Sequence, residues 1–194
     1  MADNPLMRRL ATWALPRWIV LVCAVVLALP LIGCEDDPPP KGFERVTIEG
    51  ETYTLELAVN EQTRTKGLGE RTELPENGGM LFVFKRPLRK QFLMRDCFMD
   101  IDIIFLDGNG RITAFHHMPM EPPRGDDEGE VGDWDPRKPA NRRYESRLTR
   151  YSSRGAAQFA IEIAGGELET LKSKGLKVGE KIELDTARLK ALAR

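Results

Sequence analysis

Hydrophobic and polar residues alternate along several short stretches of this chain, which predicts a protein built mainly from β-strands. Alternation on both sides of a polar turn at 49–51 predicts a hairpin made of residues 46–48 and 53–59. Residues 101–106 and 111–118 flank Asp-Gly-Asn-Gly, a second hairpin turn, because Gly and Asn tolerate positive φ. Two antiparallel hairpins are therefore expected before any other feature is considered.

Further strands are predicted by short apolar or alternating runs. The run at 80–84 (MLFVF) is too short for a helix and predicts a buried strand, which residues 91–94 continue. Residues 158–163 (QFAIEI) alternate, and residues 181–184 form the last predicted strand.

Three short helices are predicted from their capping residues. They comprise residues 61–66 after Asn60, residues 167–174 before Gly175, and a terminal helix after Asp185. Strands outnumber helices and hairpins dominate. We therefore expect a mainly β (α+β) fold, a compact antiparallel barrel-like or sandwich-like β domain with a few short helices.

The N-terminal segment has the pattern of an export signal. Three arginines precede an almost wholly apolar run, Trp18–Ile32, that ends in Leu-Ile-Gly-Cys at Cys34. This ending resembles the lipobox of bacterial lipoproteins, which implies cleavage before Cys34 and a diacylglycerol on its sulfur. A membrane-spanning helix needs about 20 apolar residues, so an uncleaved signal anchor is the alternative that the shorter run disfavours.

The chain then divides into three predicted parts. Residues 1–33 are a lipoprotein signal peptide, residues 34–42 are the lipidated cysteine and a proline-rich tether, and residues 43–194 are one β-rich domain. Cys97 is the one cysteine left after cleavage and lipidation, so no internal disulfide is expected. We expect a protein exported and lipid-anchored to the bacterial cell envelope, on its periplasmic or outer-surface side.

Charge argues against nucleic acid as a partner. Removing the three basic and one acidic residues of 1–34 from totals of 29 and 30 leaves 26 basic and 29 acidic residues. The charges segregate in a long loop at 121–150, acidic in its first half and basic in its second. A loop this long is usually functional or disordered, and we expect its acidic half to fold back on its basic half.

Four blocks of the sequence carry a family resemblance. In order along the chain they are TRTKGLGERTELPENGGMLFVF, FLMRDCFMDIDIIFLDGNGRITAFHHM, YSSRGAAQFAIEI and GLKVGEKIEL. Together they resemble the bacterial and archaeal family called domain of unknown function 192, across nearly the whole of residues 46–184. The resemblance implies a small β-rich domain, often exported or lipid-anchored, with no agreed biochemical activity.

The central block departs from the family's pattern. Members commonly have an aromatic residue, Met-Lys-Asn-Thr and then a proline, where this chain has Leu93, Met-Arg-Asp-Cys at 94–97 and Asp100. A site built on the family's asparagine would carry a carboxylate at Asp96 here.

A carboxylate and imidazole cluster is one candidate site. If the Asp-Gly-Asn-Gly turn pairs residues 106 and 111, His117 lies opposite Asp100 and diagonal to Asp102, about 5–8 Å away between Cβ atoms. Such a cluster can orient a general base or hold a cation. The alternative is a cross-strand ion pair in which Asp102 also accepts backbone N–H bonds from the loop after Met94. In this register His116 points the other way, towards the core.

Arg95 and Asp96 form a second candidate, because they are charged residues placed where the chain enters an apolar segment. Arg95 can clamp a carboxylate or sugar hydroxyls while Asp96 accepts from hydroxyls, or the two can pair with each other or with the backbone.

The function we expect is a non-enzymatic ligand-binding or scaffold module at the cell envelope. Its expected ligand-binding residues are Arg95, Asp96, Asp100, Asp102 and His117, with no cofactor and with a small molecule, glycan or peptide as possible ligand.

Two alternatives to this expected function stay open. One is a hydrolase or metal-dependent enzyme that uses His117 with the two carboxylates. The other is a copper protein that uses His116, Met118 and Met120, with Cys97 as a further soft ligand.

Overall fold

The structure is a computed structural model that describes residues 38–194. The predicted signal peptide, the lipidation at Cys34 and the first part of the tether lie outside the described residues and stay predictions. Pro39–Arg194 forms one compact unit, whose first strand begins at Phe43. No helix within residues 38–194 combines the length and the apolar character that crossing a membrane requires.

In the part of the chain that the structure describes, six strands form a single open sheet in the order β1-β2-β3-β6-β4-β5. They are β1 (Phe43–Ile48), β2 (Glu51–Ala58), β3 (Gly78–Phe92), β4 (Ile101–Leu106), β5 (Ile112–Met118) and β6 (Tyr151–Ala164). Both predicted hairpins are present, as β1-β2 and β4-β5. The sheet is mixed, because β2 and β3 run parallel, and it does not close into a barrel. The fold is mainly β. Of the two expected arrangements, barrel-like and sandwich-like, the open sheet agrees with the sandwich-like one.

Within residues 38–194, four short helices accompany the sheet: α1 (Glu61–Lys66), α2 (Pro139–Arg147), α3 (Glu167–Lys174) and α4 (Thr186–Leu192). The caps predicted from sequence are present, since the Asn60 side chain accepts from the backbone N–H of Thr63 at 2.9 Å and Asp185 caps α4. Helix α1 lies in the connection between the parallel strands β2 and β3, which a tight turn cannot join. The strand predicted at 181–184 is wrong, since Lys181 makes only an isolated bridge to Arg111.

Both faces of the sheet are buried. Alternate residues of the central strands enter two apolar clusters, so Leu81 and Ile161 belong to one and Phe82 and Ala160 to the other. We call these the helix-side core, which α3 and α4 cover, and the cleft-side core, which contains Leu68 from the segment after α1. Because the middle of the sheet is covered on both faces, a polar side chain on β4 or at 157–163 of β6 is buried whichever way it points.

The charged loop at 121–150 is folded, and it contains helix α2. Its acidic half pairs with its basic half as predicted, through Glu128 with Arg147 at 2.8 Å, Asp127 with Arg143 at 3.1 Å, and further ion pairs. Helix α2 was not predicted because only two of its nine residues, Asn141 and Tyr144, are buried, which leaves no apolar periodicity to read.

Candidate functional site

A cleft of about 260 Å³ opens on the cleft-side core, between the end of α1 and strand β3. Its walls come from the α1 region, from β3, from the segment that follows β3, and from one residue of β6. The lining includes Arg64, Lys66, Gly67, Phe82, Phe84, Lys90, Phe92, Arg95, Cys97 and Glu162. Four of these side chains are basic and one is acidic.

Glu162 is the acidic residue of the cleft. It lies on the central strand β6, paired with Met80 on β3 and Ile103 on β4, and only 5% of its surface is exposed. Burial raises the pKa of its carboxyl group to about 8, against a smaller opposing effect of Arg71. The carboxyl group is therefore mostly protonated at neutral pH and can donate a hydrogen bond.

Glycine at position 67 keeps the space over this acid open. A Cβ there would lie 3.4 Å from Cζ of Phe82 and 3.7 Å from Oε2 of Glu162. Gly67 also has a φ of 54° where α1 ends, a conformation that side chains rarely adopt. The chain reversal after α1 and the access to Glu162 thus depend on the same residue.

Arg95, a residue predicted for the site, lies at the cleft. Its Nη2 pairs with a carboxylate oxygen of Glu145 at 2.9 Å. Among residues 38–194, two buried side-chain nitrogen or oxygen atoms lack a hydrogen-bond partner, and they are Nε of Arg95 and Oε2 of Glu162. Both residues line this one cleft.

Aromatic rings form the apolar wall. Phe92 meets Phe82 edge to face at 5.0 Å and Phe84 at 6.4 Å between ring centroids. The ammonium group of Lys90 lies 4.1 Å from the centroid of Phe84, and the guanidinium of Arg64 lies 5.8 Å from it. The cleft thus combines a flat apolar surface with positive charge at its edge.

Cys97 also lines the cleft, and its thiol is affected by the charges of both Glu162 and Arg95. Burial, and next the charge of Glu162, raise the pKa of its thiol to about 12, whereas Arg95 acts in the opposite direction. The thiol therefore stays protonated, and a protonated thiol is a poor nucleophile and a poor metal ligand.

Asp96 is bound within the protein by residues that do not line the cleft. Arg124 donates to both of its carboxylate oxygens, at 2.7 and 3.0 Å, and Gly132 N–H and Trp134 Nε1 donate to it as well. Burial opposes ionisation, but these hydrogen bonds hold the pKa of Asp96 below its usual value. Asp96 pairs with neither Arg95 nor solvent, and instead it fastens the 121–150 loop to the domain.

Asp102 and His117 form the predicted carboxylate and imidazole pair, at 2.7 Å between Oδ1 and Nδ1. The predicted register was wrong by two residues, because His117 lies opposite Asp102 and a bulge separates the pairs 105/114 and 106/112. The other carboxylate oxygen of Asp102 accepts from the backbone N–H groups of Gly166 and Leu168, at 2.8 and 2.7 Å.

This pair therefore fastens the start of α3 to β4. We expected backbone donors from the loop after Met94, but they come from the start of α3. The imidazole is half exposed and borders a separate hollow with Glu169 and Lys172.

The remaining candidates lie apart from both places. Asp100 accepts a hydrogen bond from Met120 N–H at 2.7 Å and does not face His117. His116 points to the cleft-side core as expected, and its Nε2 lies 2.7 Å from the carbonyl oxygen of Ser152. Met118 is fully buried while Met120 is 54% exposed. Within residues 38–194, no group of three His, Cys, Asp or Glu side chains converges to hold a metal ion.

Sequence reasoning missed Glu162, which it placed only on the alternating strand at 158–163. It also missed the aromatic wall, because Phe82, Phe84 and Phe92 were read only as strand residues. One signal in the sequence could have found Glu162. Apart from Glu162, residues 159–163 are apolar on both faces of the strand, which is typical of a strand that lies between two cores.

Comparisons with known proteins agree with this fold. A crystal structure of a protein of unknown function from Novosphingobium aromaticivorans DSM 12444 is similar, with a TM-score of 0.54, 27% identity and coverage of 73% of this chain and 85% of that chain. A second, from Sinorhizobium meliloti 1021 and described as a candidate transcription regulator, has a TM-score of 0.50, 23% identity and coverage of 73% and 90%, which supports the fold alone.

No curated protein matches this chain. The family model of DUF192, described as "Uncharacterized ACR", matches residues 44–184. The chain therefore belongs to the DUF192 family.

Proposed function

We propose that this protein is a membrane-anchored extracytoplasmic lipoprotein whose DUF192 domain is a non-enzymatic ligand-binding module, with its binding site in the cleft of Glu162 and Arg95. One observation carries the proposal: the two residues that hold a buried polar atom without a partner, Arg95 and Glu162, line the same cleft. An unpaired buried polar group costs roughly 1–3 kcal/mol, so buried groups are normally hydrogen-bonded. A ligand with polar groups at these two positions would remove that cost.

The chemistry of the cleft favours binding over catalysis. A nucleophile needs a neighbouring base that takes its proton. Cys97 lies instead beside a carboxyl group that is itself mostly protonated, and both histidines lie elsewhere, one bonded to Ser152 and one to Asp102. The groups that remain in the cleft are hydrogen-bond donors, positive charges and aromatic rings, which orient and hold a molecule.

The lipoprotein part of the proposal is supported by the sequence before the described domain. The lipobox-like ending at Cys34 follows the apolar run directly, and the segment EDDPPPKG separates it from the first strand at Phe43. Mass spectrometry of the protein from its native host tests this part. We expect a mature chain that begins at Cys34 with a diacylglyceryl mass on the sulfur, and an unmodified Met1 contradicts it.

A thermal-shift screen tests the binding function. The full-length protein in detergent is screened against organic acids, glycans, peptides and metal ions, together with Arg95→Ala, Glu162→Gln and the matched control His117→Gln. We expect compounds that raise the melting temperature of the parent and the control but have less effect on the two cleft variants. Stabilising compounds that act equally on all four proteins contradict the cleft as the site.

A second candidate function, hydrolysis, has one observation in its favour. Asp102 holds His117 at 2.7 Å with the imidazole half exposed, an arrangement that can orient a general base. Hydrolysis of generic ester, phosphate and glycoside substrates by the parent, abolished in His117→Ala and retained in Glu162→Gln, would favour this candidate over the binding module.

A further inference from the structure

The charge of the cleft points to the sign of its ligand. Arg64 and Lys90 both approach the ring of Phe84, and neither forms an ion pair with an acidic side chain among residues 38–194. Arg64 donates to main-chain oxygens of Val83 and Arg194, both at 3.0 Å, and the charge of Glu61 favours its ionised form. Burial, and next the charge of Arg64, lower the pKa of Lys90. Two like charges beside one ring in a partly buried place repel each other, and an anion bound between them and Arg95 relieves that repulsion.

Glu162 determines which anions fit. Its carboxyl group is enclosed, its Oε2 has no partner, and its protonated form carries one O–H that can donate. A hydrogen bond from a neutral acid to an ionised carboxylate is short and strong. An ionised Glu162 would instead repel the same ligand, because two carboxylates at one site cannot both be charged at low cost.

The wall and the volume limit the size of the ligand. Phe82, Phe84 and Phe92 line the cleft, and their rings pack edge to face, so this wall suits a flat or apolar body. Ligand pockets commonly measure about 300–1,000 Å³. A cleft of about 260 Å³ is close to the lower end and fits a ring-sized molecule.

We propose, resting on the proposed binding function, that the cleft binds small aromatic or apolar carboxylates, and that protonated Glu162 donates its hydrogen bond to the ligand's carboxylate while Arg95 supplies a second donor. Binding is then coupled to a proton that Glu162 keeps. Above the pKa of free Glu162 the dissociation constant rises about tenfold for each pH unit, since the acid must take up a proton before the anion binds.

Few other titratable groups face Glu162. Met80 and Ile103, its partners on β3 and β4, are apolar. Arg71 acts on it by its charge but is held by both carboxylate oxygens of Glu56, at 2.6 and 2.8 Å. The other titratable groups that line the cleft are Cys97, Arg64, Lys66, Lys90 and Arg95. Of these, Lys90 has a lowered pKa, so its titration has to be separated from that of Glu162.

Isothermal titration calorimetry with benzoate, between pH 6 and pH 9.5, tests the inference on the full-length protein. Benzamide and benzyl alcohol serve as neutral probes of the same size. The variants are Glu162→Gln, Lys90→Met and, as a control outside the cleft, Lys85→Ala. Circular dichroism checks that each is folded.

We expect benzoate to bind the parent and Lys85→Ala most tightly at pH 6–7 and about tenfold more weakly for each pH unit above 8. Lys90→Met should bind more weakly but keep this slope. Glu162→Gln, which keeps a donor but has no proton to lose, should bind with no slope between pH 6 and 9.

Neutral probes that bind at least as tightly as benzoate at every pH, or a benzoate slope that persists in Glu162→Gln, overturn this inference and leave the cleft as a binding site. Both the inference and the proposed function are overturned by two results together. Benzoate does not bind the parent, and no compound of the thermal-shift screen depends on Arg95 for its stabilising effect.

Discussion

The substitution Glu162→Gln replaces the buried, ionisable carboxyl group on strand β6 with an amide, and it should make the protein more stable at neutral and alkaline pH. In the folded protein the carboxyl group keeps its proton up to a pH of about 8, whereas in the unfolded chain it loses it near 4.5. Between these values the folded state binds more protons than the unfolded state, so the free energy of unfolding falls as the pH rises. Below pH 4.5 both states are protonated and the effect is absent.

The size of this effect follows from the difference between the two pKa values. Each unit corresponds to about 1.4 kcal/mol, so the loss reaches roughly 3 kcal/mol at pH 7 and roughly 5 kcal/mol at pH 8 and above. Glutamine has nearly the same shape as protonated glutamate and does not ionise. The variant should therefore match the parent within about 1 kcal/mol at pH 4.5 and exceed it by several kcal/mol at pH 8.

Urea unfolding followed by circular dichroism, at intervals from pH 4.5 to pH 8.5, measures this difference. Glu76→Gln serves as the control, since Glu76 is exposed on the surface. The reasoning is refuted if the stability difference between Glu162→Gln and the parent is the same at pH 4.5 and pH 8, or if the parent gains stability relative to the variant as the pH rises.

Three further predictions concern residues that fasten the domain, all measured by urea unfolding at pH 7. Arg124→Met leaves the buried Asp96 without its ion-pair partner and should lower the free energy of unfolding by about 3–5 kcal/mol. Adding Asp96→Asn to the same chain should restore most of this loss. A double variant that is as unstable as Arg124→Met alone contradicts the prediction. Asp102→Ala leaves two backbone N–H groups unpaired and should lower the free energy of unfolding by about 2–4 kcal/mol. His117→Ala removes only a half-exposed ion pair and should lower it by less than about 1 kcal/mol. A larger effect of His117→Ala than of Asp102→Ala would mean that the imidazole holds α3. Asn60→Ala removes the cap of α1 and should cost about 1 kcal/mol, and no change would show that Thr63 alone caps the helix.

Local chemistry predicted the elements whose ends carry a specific residue. Asn60 with Gly67, and Asp185, define two of the helices because caps depend on neighbouring residues alone. Helix α2 has no such cap and no apolar stripe. It is held by ion pairs to the acidic half of its own loop, partners that only the folded chain brings together.

Register and burial depend on contacts between distant segments, and there the sequence was insufficient. The β4-β5 hairpin was predicted correctly, but Leu106 pairs with Ile112 instead of Arg111, and a bulge at Thr113 shifts the register by one more residue. His117 therefore lies opposite Asp102 and not Asp100. The pairing of Asp96 with Arg124, 28 residues away, has no local signal. The burial of Glu162 was not predicted, because alternation normally marks one solvent-exposed face, and the sheet has no such face along β6 at residues 159–163.

Mapping the position of a bound compound tests the central claim most directly. Two-dimensional NMR spectra of the full-length protein in detergent, recorded as the most stabilising compound of the thermal-shift screen is added, report which backbone amides change. The cleft site predicts the largest chemical-shift changes at Gly67, Phe92, Arg95 and Glu162. Changes centred on His117, Gly166 and Leu168 would contradict it and assign the binding site to the hollow beside α3.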